Sequence, residues 1–403
     1  MNSPKQMISD LLVFLSTKSL LSLEALHGVN HRMSADKTKM SLNYDQIEAK
    51  DADLIAQVCR GMVLSRKNGL PLVADQPMND LEVFAFPFCR FFNDGQGAAA
   101  QINMMDDSTE FLAKLDGTCI ILYFDKHKNQ WFPAPRAVCE ADLPMSAGFS
   151  TMTFHSLVDL TCQEMFNKSL QEVCEALNKD YTYVLELTGP YNKVVCDYAK
   201  NCLTLLGVRD NVSCQEIMPT ADLTPFPVVE SFKFGSLEDM LKFVSDMNPT
   251  EREGIVVRDK HFQRVKIKSA NYVAYNHIVF NTVKGNMPRN VMRIILNEKQ
   301  DDVFPILPDL VRKEAEKFLE SYREFAKHTH VFYSDLVAKF DKSDKDSRKN
   351  LALYVRDNKL NMQFAMMYYL GKNYSQWVKD AIQKDGDWTD AFIDNLVELI
   401  QAK

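Results

Sequence analysis

Phe111-Leu112-Ala113-Lys114-Leu115-Asp116-Gly117-Thr118, running on into Cys119-Ile120-Ile121-Leu122-Tyr123-Phe124, is the stretch whose reading decides the fold. An apolar lead-in, then Asp-Gly, then a run rich in β-formers predicts strand, turn, strand. The lysine would close the first strand, with a carboxylate two residues on and a glycine that lets backbone approach a ligand closely. A strand-end lysine is ordinarily a solvated surface charge, and so short a pattern recurs by chance. Its meaning depends on what the rest of the chain places beside it.

At 403 residues the chain has room for two or three domains, each with a core of its own. Hydrophobic content of 46% and charged content of 25% are those of ordinary globular proteins. A net charge of −7 argues against general polyanion binding, so a phosphate-bearing ligand has to be held by a local patch. Arg252 to Arg293 offers one, with nine Lys/Arg against Glu253 and Asp259, whereas Asp309 to Lys403 is balanced at sixteen each. Nine cysteines fall between Cys59 and Cys214 without a Cys-x-x-Cys pair, which speaks against zinc and a disulfide framework and for a reducing, cytoplasmic setting. The apolar run Leu11 to Leu15 is broken by Lys18, so a first amphipathic helix is expected rather than a signal peptide, and no run has the length of a membrane span.

In order, helical spacing predicts a helix over 9–26, then an irregular polar segment to Asn43, then a strand over 57–64 closed by Lys67-Asn68-Gly69. Phe86 to Asn93 is an aromatic cluster around one cation, Arg90, readable as core with a rim charge or as a cleft wall. Beyond the central lysine, 131–138 reads as a strand, 154–177 as a helix, and 181–188 as a strand with Glu186 among apolar neighbours. A carboxylate there is costly unless paired or metal-associated. Further strands are expected at 193–195 and 203–208, with a helix over 237–247. The strand 252–258 opens on Glu253-Gly254, and Val265-Lys266-Ile267-Lys268-Ser269 puts both lysines on one face. Solvated lysines on an edge strand, or paired cations facing phosphates, would both give that pattern. Tyr272 and His277 lie just beyond. From 286 on, through Lys284-Gly285-Asn286-Met287-Pro288, helical periodicity predicts an all-helical domain, including helices at 351–355, 364–370, 377–382 and 392–400. The stripe Met362, Met366, Tyr369, Leu370 is read as core.

Lys-x-Asp-Gly, a glutamate in a strand, Glu-Gly and Lys-x-Lys, in that order, form a set that resembles the covalent nucleotidyltransferases: DNA ligases, RNA ligases and mRNA capping enzymes. Arg60-Gly61, Phe91-Phe92-Asn93, Glu186 with Pro190-x-Asn192-Lys193, and Lys266-x-Lys268-Ser269-x-x-Tyr272 resemble most the RNA ligase 1 family of T-even-type phages. That resemblance implies an α+β fold: a nucleotidyltransferase (ATP-grasp-like ligase) domain with antiparallel sheets over 1–285, and an all-helical C-terminal domain over 286–403 contributing RNA or tRNA specificity. It implies ATP and Mg²⁺ (or Mn²⁺) as cofactors, and sealing of 5′-phosphate to 3′-hydroxyl RNA ends. Lys114 would attack the α-phosphate and carry AMP, because a phosphoramidate is stable enough to wait and labile enough to pass on. Lys266 and Lys268 would favour the neutral amine and stabilise transition-state charge. Asp116 would assist transfer, Glu186 and Glu253 would hold the metal, and Arg60 and Arg90 would orient the phosphates. Gly117, Arg136 and Tyr272 complete the nucleotide site, and Asp301-Asp302 fall near a metal-associated pair or form a solvated turn. Arg90 and Arg136 stand where the family has lysines, and Thr118 replaces serine; guanidinium and ammonium are not interchangeable. The implied partners are nicked or cleaved tRNA and a separate end-healing kinase/phosphatase, with no membrane. A DNA ligase or GTP-dependent capping enzyme, and an inactive RNA-binding relative, stand as alternatives.

Overall fold

The computed structural model describes residues 3–46, 48–141, 152–282, 287–296, 300–307, 309–372 and 390–401. It divides into two compact units, Met1–Tyr272 and Val273–Lys403, with the break inside the helix Ala270–Thr282.

The first unit is α+β and carries three sheets. One is an antiparallel meander of β1 (Val29–Met33), β2 (Lys39–Tyr44), β3 (Arg60–Arg66) and β4 (Leu81–Ala85). The other two use β5 (Phe92–Asn93), β6 (Glu110–Lys114), β7 (Thr118–Asp125), β8 (Gln130–Pro135), β9 (Tyr181–Thr188), β10 (Cys202–Asp210), β11 (Glu216–Ile217), β12 (Ser231–Phe232), β13 (Gly254–Arg258) and β14 (Arg264–Lys268). The second sheet runs β11-β10-β9-β7-β8 and is antiparallel. The third runs β12-β6-β13-β14-β5 and ends in a parallel pair. Lys114 therefore ends a strand of the third sheet while Thr118 opens a strand of the second. The turn Leu115–Gly117 carries the chain from one sheet to the other.

Strand alternation gives the third sheet two unlike faces. Phe111, Ile255, Val257 and Val265 are buried together with Met240 and Val244 of the helix Leu237–Ser245. The opposite parity carries Lys114, Gly254, Lys266 and Lys268, aligned across the strands as Lys114↔Gly254↔Lys268. In the second sheet Ile120, Leu122, Leu185 and Leu203 pack with Leu157, Val158 and Cys162 of the helix Phe154–Phe166.

Several local expectations are corrected. The first helix is two, Pro4–Thr17 and Leu20–His27, because Ser19 caps the second one. The segment expected to be irregular up to Asn43 is the β1–β2 hairpin, whose alternation is masked by Lys39, fully buried against Asp125 and Glu140. Residues 54–58 form a short helix capped by Asp53, so that strand begins only at Arg60. The helix over 154–177 breaks at Asn167, which is left-handed, and restarts at Leu170 in a capping box of Ser169 and Glu172. At 193–195 there is no strand; the Val195 amide, together with that of Cys196, donates to the Asp116 carboxylate instead.

The second unit contains Met287–Leu296, Gln300–Val303, Asp309–Ala338, Ser347–Asp357, Met362–Tyr369 and Asp390–Gln401 as helices, and no strand among its described residues. Its buried face on Met362–Tyr369 is Phe364, Ala365, Met367 and Tyr368, where Phe364 and Tyr368 meet the Tyr333 ring. Met362 and Leu370 are exposed, so the expected core stripe is rotated. The helix expected at 377–382 lies outside the described residues. Among the described residues no helix is long and apolar enough to cross a membrane.

Candidate active site

Gly254 fixes the register of the site. A Cβ there would stand 2.2 Å from the Ile267 carbonyl oxygen, and its φ of +155° lies at the edge of the range that side chains avoid. With no side chain between them, Lys114 and Lys268 flank the same point of β13. The residue before it, Glu253, bridges them: Oε2 accepts from Lys114 Nζ at 2.5 Å and Oε1 lies 2.8 Å from Lys268 Nζ. Glu253 is buried, whereas the Lys114 and Lys268 side chains keep 20% and 33% exposure, so both amines remain open to a ligand.

Asp116 is held from three directions. Its Oδ2 accepts the Val195 and Cys196 amides at 2.7 and 2.8 Å, and its Oδ1 accepts the Tyr272 hydroxyl at 2.7 Å. Its own amide donates to the Tyr198 hydroxyl at 3.0 Å. Thr118 donates to Asn192 Oδ1 at 3.0 Å, and Asn192 donates to the Leu187 carbonyl. The segment after β9 thus clasps the Lys-x-Asp-Gly-Thr turn at both ends, which fixes the approach of the lysine. Gly117 fits because any Cβ would collide with the Leu187 carbonyl oxygen, and its amide donates to Glu186 Oε1 at 3.1 Å.

Glu186, on β9 opposite Cys119, is buried. Burial pushes its carboxyl up to about 7, against the pull of Lys114 and Arg60 and with the push of Glu253. Lys266 is its counterpart: burial, then Arg60, Lys114, Lys268 and Arg136, bring its amine down to about 7. It makes no ion pair among the described residues and lies 4.7 Å from the centroid of Phe91, whose ring is also 5.4 Å from the Arg60 guanidinium. Arg60 Nη1 is buried without a hydrogen-bond partner. Arg136 follows β8, and its Nη1 donates to the Tyr44 hydroxyl at 3.5 Å.

Arg60, Lys114, Arg136, Lys266 and Lys268 thus gather around Glu186 and Glu253, leaving positive charge in excess and one buried N–H unmet. Such a set of donors would suit the acceptor oxygens of a polyphosphate. The carboxylate pair is less complete: among the described residues no three His, Cys, Asp or Glu side chains converge. A divalent cation at Glu186 and Glu253 would draw its other ligands from phosphate and water, which suits magnesium.

Not every expected residue joins this cluster. Arg90 pairs with Asp51 at 2.8 Å, donates to the Ala49 carbonyl and stacks on Tyr44 and Phe92. Asp301 and Asp302 sit in the short helix Gln300–Val303 rather than a turn, and their side chains, like that of His277, lie outside the described residues. Tyr198 carried no sequence signal: one tyrosine after an expected strand gives none. Asn192 was visible only inside Pro190-x-Asn192-Lys193.

No family model matches the chain. Over 284 residues it is 25% identical to the "Putative bifunctional polynucleotide kinase/RNA ligase" of Autographa californica nuclear polyhedrosis virus, covering 67% of this chain and 38% of that protein. The match thus spans well under half of that relative. It is also 22% identical over 366 residues to the RNA ligase of Rhodothermus phage RM378, covering 74% of this chain and 78% of the other. Among solved structures, an archaeal ATP-dependent RNA ligase aligns with a TM-score of 0.42 at 13% identity, covering 75% of this chain and 78% of that one. A Naegleria gruberi RNA ligase solved with ATP and Mn aligns at 0.31 and 14%, over 42% and 51%. By its sequence, the chain is thus similar, at 22–25% identity, to two proteins whose names carry RNA ligase.

Proposed function

We propose that the chain is an ATP-dependent RNA ligase that joins 5′-phosphate and 3′-hydroxyl ends through AMP carried on Lys114. The observation that carries this reading is the triad Lys114–Glu253–Lys268 set across Gly254, with Lys266 in no ion pair among the described residues and Arg60 Nη1 lacking an acceptor beside it. Glu253 Oε2 is the acceptor within reach of the amine's proton. Lys266, Lys268 and Arg60 face the charge that develops on the α-phosphate as pyrophosphate leaves. Asp116, Tyr198 and Asn192 hold the turn so that the amine attacks in line. A magnesium ion at Glu186 and Glu253 would neutralise phosphate charge. The adenylate then passes to an RNA 5′-phosphate, and the 3′-hydroxyl displaces AMP.

The RNA ligase 1 type, with tRNA repair as its setting, is supported by the ordered motifs and by a second unit that is helical throughout its described residues. The domain ranges 1–285 and 286–403, the latter for RNA specificity, belong to the same proposal, as do an end-healing partner and a cytoplasmic location; the nine free thiols fit the latter. Incubation with labelled ATP or GTP, then with 5′-phosphorylated single-stranded RNA or nicked DNA, tests the reading. An adduct with ATP and circularised or joined RNA is expected. An adduct with GTP alone, or sealing of nicked DNA alone, would overturn it.

A further inference from the structure

The lysine-bearing face of β14 does not stop at Lys266. Two residues back, on the same face, Arg264 enters a separate cavity of about 650 Å³ on the far side of Phe91. Two buried guanidinium groups meet there, Arg264 and Arg209, each 5% exposed, and both lean on one carboxylate, Glu216. Arg209 also donates to the Cys214 carbonyl, yet its Nε is buried without a hydrogen-bond partner. One carboxylate against two desolvated cations leaves positive charge inside the protein uncompensated, which is costly unless a ligand supplies an anion. At the mouth stand Lys260 and His261, both exposed, on the β13–β14 turn. In that turn Phe262 is held at a φ of +59°, a conformation bulky residues rarely take, and it lines the cavity, as Phe91 does. Cations interleaved with aromatic rings are what a single-stranded polynucleotide binds, phosphates on the former and bases on the latter. Phe91, which lines this cavity, also lies 4.7 Å from Lys266 and 5.4 Å from the Arg60 guanidinium.

We propose that this cavity binds the RNA strand to be joined just behind its 5′ end, so that the terminal 5′-phosphate passes Phe91 to reach the nucleotide on Lys114. This rests on the ligase reading, but its test does not. Binding of 3′-labelled single-stranded RNA, 5′-phosphorylated or 5′-hydroxyl, is measured by fluorescence anisotropy on the full chain carrying Lys114→Ala, with and without Lys260→Glu and His261→Glu. The two surface substitutions are expected to weaken binding by about tenfold and to lower its salt slope. The 5′-phosphorylated RNA is expected to bind more tightly than the 5′-hydroxyl form, and inorganic phosphate to compete only weakly. In the chain that keeps Lys114, the same two substitutions should leave the ATP adduct within about twofold of its normal rate while slowing AMP transfer to RNA. Unchanged RNA affinity, or adduct and RNA binding falling together, would overturn the proposal. If the chain forms no adduct yet loses RNA binding on Lys260→Glu, the cavity stands and the ligase reading falls.

Discussion

At the scale of single residues, the site brings opposite charges close and leaves two of them shifted towards neutrality. Glu186 has a carboxyl at about 7 against an ordinary 4.5, so the folded protein keeps a proton that the unfolded chain loses between those values. Its contribution to stability is whole below pH 4.5 and fades as pH rises through 7. Glu186→Gln, which keeps the acceptor for the Gly117 amide, should therefore match the parent's melting temperature near pH 4 and exceed it at pH 8. The difference would be at most about 3 kcal/mol; equal melting temperatures at pH 8 would contradict the assignment. Lys266 works in the opposite sense. Near pH 8 its amine is mostly neutral, and a bound polyphosphate restores its charge, so ATP binding should take up a fraction of a proton. Titration calorimetry on Lys114→Ala in two buffers of different ionisation enthalpy measures this. Identical heats in both would mean that Lys266 does not meet the phosphates. None of this shift was legible in the sequence, which showed two lysines on one face but not that Lys266 is the one whose amine is pushed towards neutrality. Arg90 shows the converse: a cation in the expected place is already engaged by Asp51, which lies far away in the chain.

At the scale of elements, the turn between two sheets and the three aligned strands beside it carry the chemistry. Period-two alternation made β6, β7, β9, β13 and β14 readable, and the two glycines of Asp-Gly and Glu-Gly marked where backbone had to come close. The β1–β2 hairpin was hidden because its Lys39 is buried by partners far along the chain, which local pattern cannot foresee. The clasp over 190–198 was hidden for a related reason, since its amides serve the Asp116 carboxylate rather than a neighbouring strand. Gly254→Ala should be severe, because a methyl group there meets the Ile267 carbonyl at 2.2 Å and parts β13 from β14. A stability loss of roughly 2 kcal/mol or more is expected in a denaturant titration, with loss of ATP adduct formation. A fully stable, active Gly254→Ala would show that the lysines do not depend on that register.

At the scale of the whole molecule, a net charge of −7 coexists with a cationic site because the charges are sorted by position, not by number. The basic stretch from Arg252 is divided by position: Arg258 pairs with Glu110, Arg264 shares Glu216 with Arg209, and Lys266 and Lys268 lie on the face of Lys114. The change of composition after Pro308 was enough to foresee a helical second unit, though not the rotation of its core face. Every site residue named above lies before Val273, so a chain ending after Thr282 should still form the ATP adduct while sealing a cleaved tRNA poorly. Gel assays of both steps check this, and undiminished tRNA sealing would remove the specificity role from the helical unit.

The central claim is that one amine carries the nucleotide. Incubating the chain with ATP and magnesium, digesting it, and mapping the added AMP by mass spectrometry tests that claim directly. The account predicts a single modified peptide bearing AMP on Lys114, and none in Lys114→Ala. AMP on any other side chain, or an adduct that survives Lys114→Ala, would contradict it.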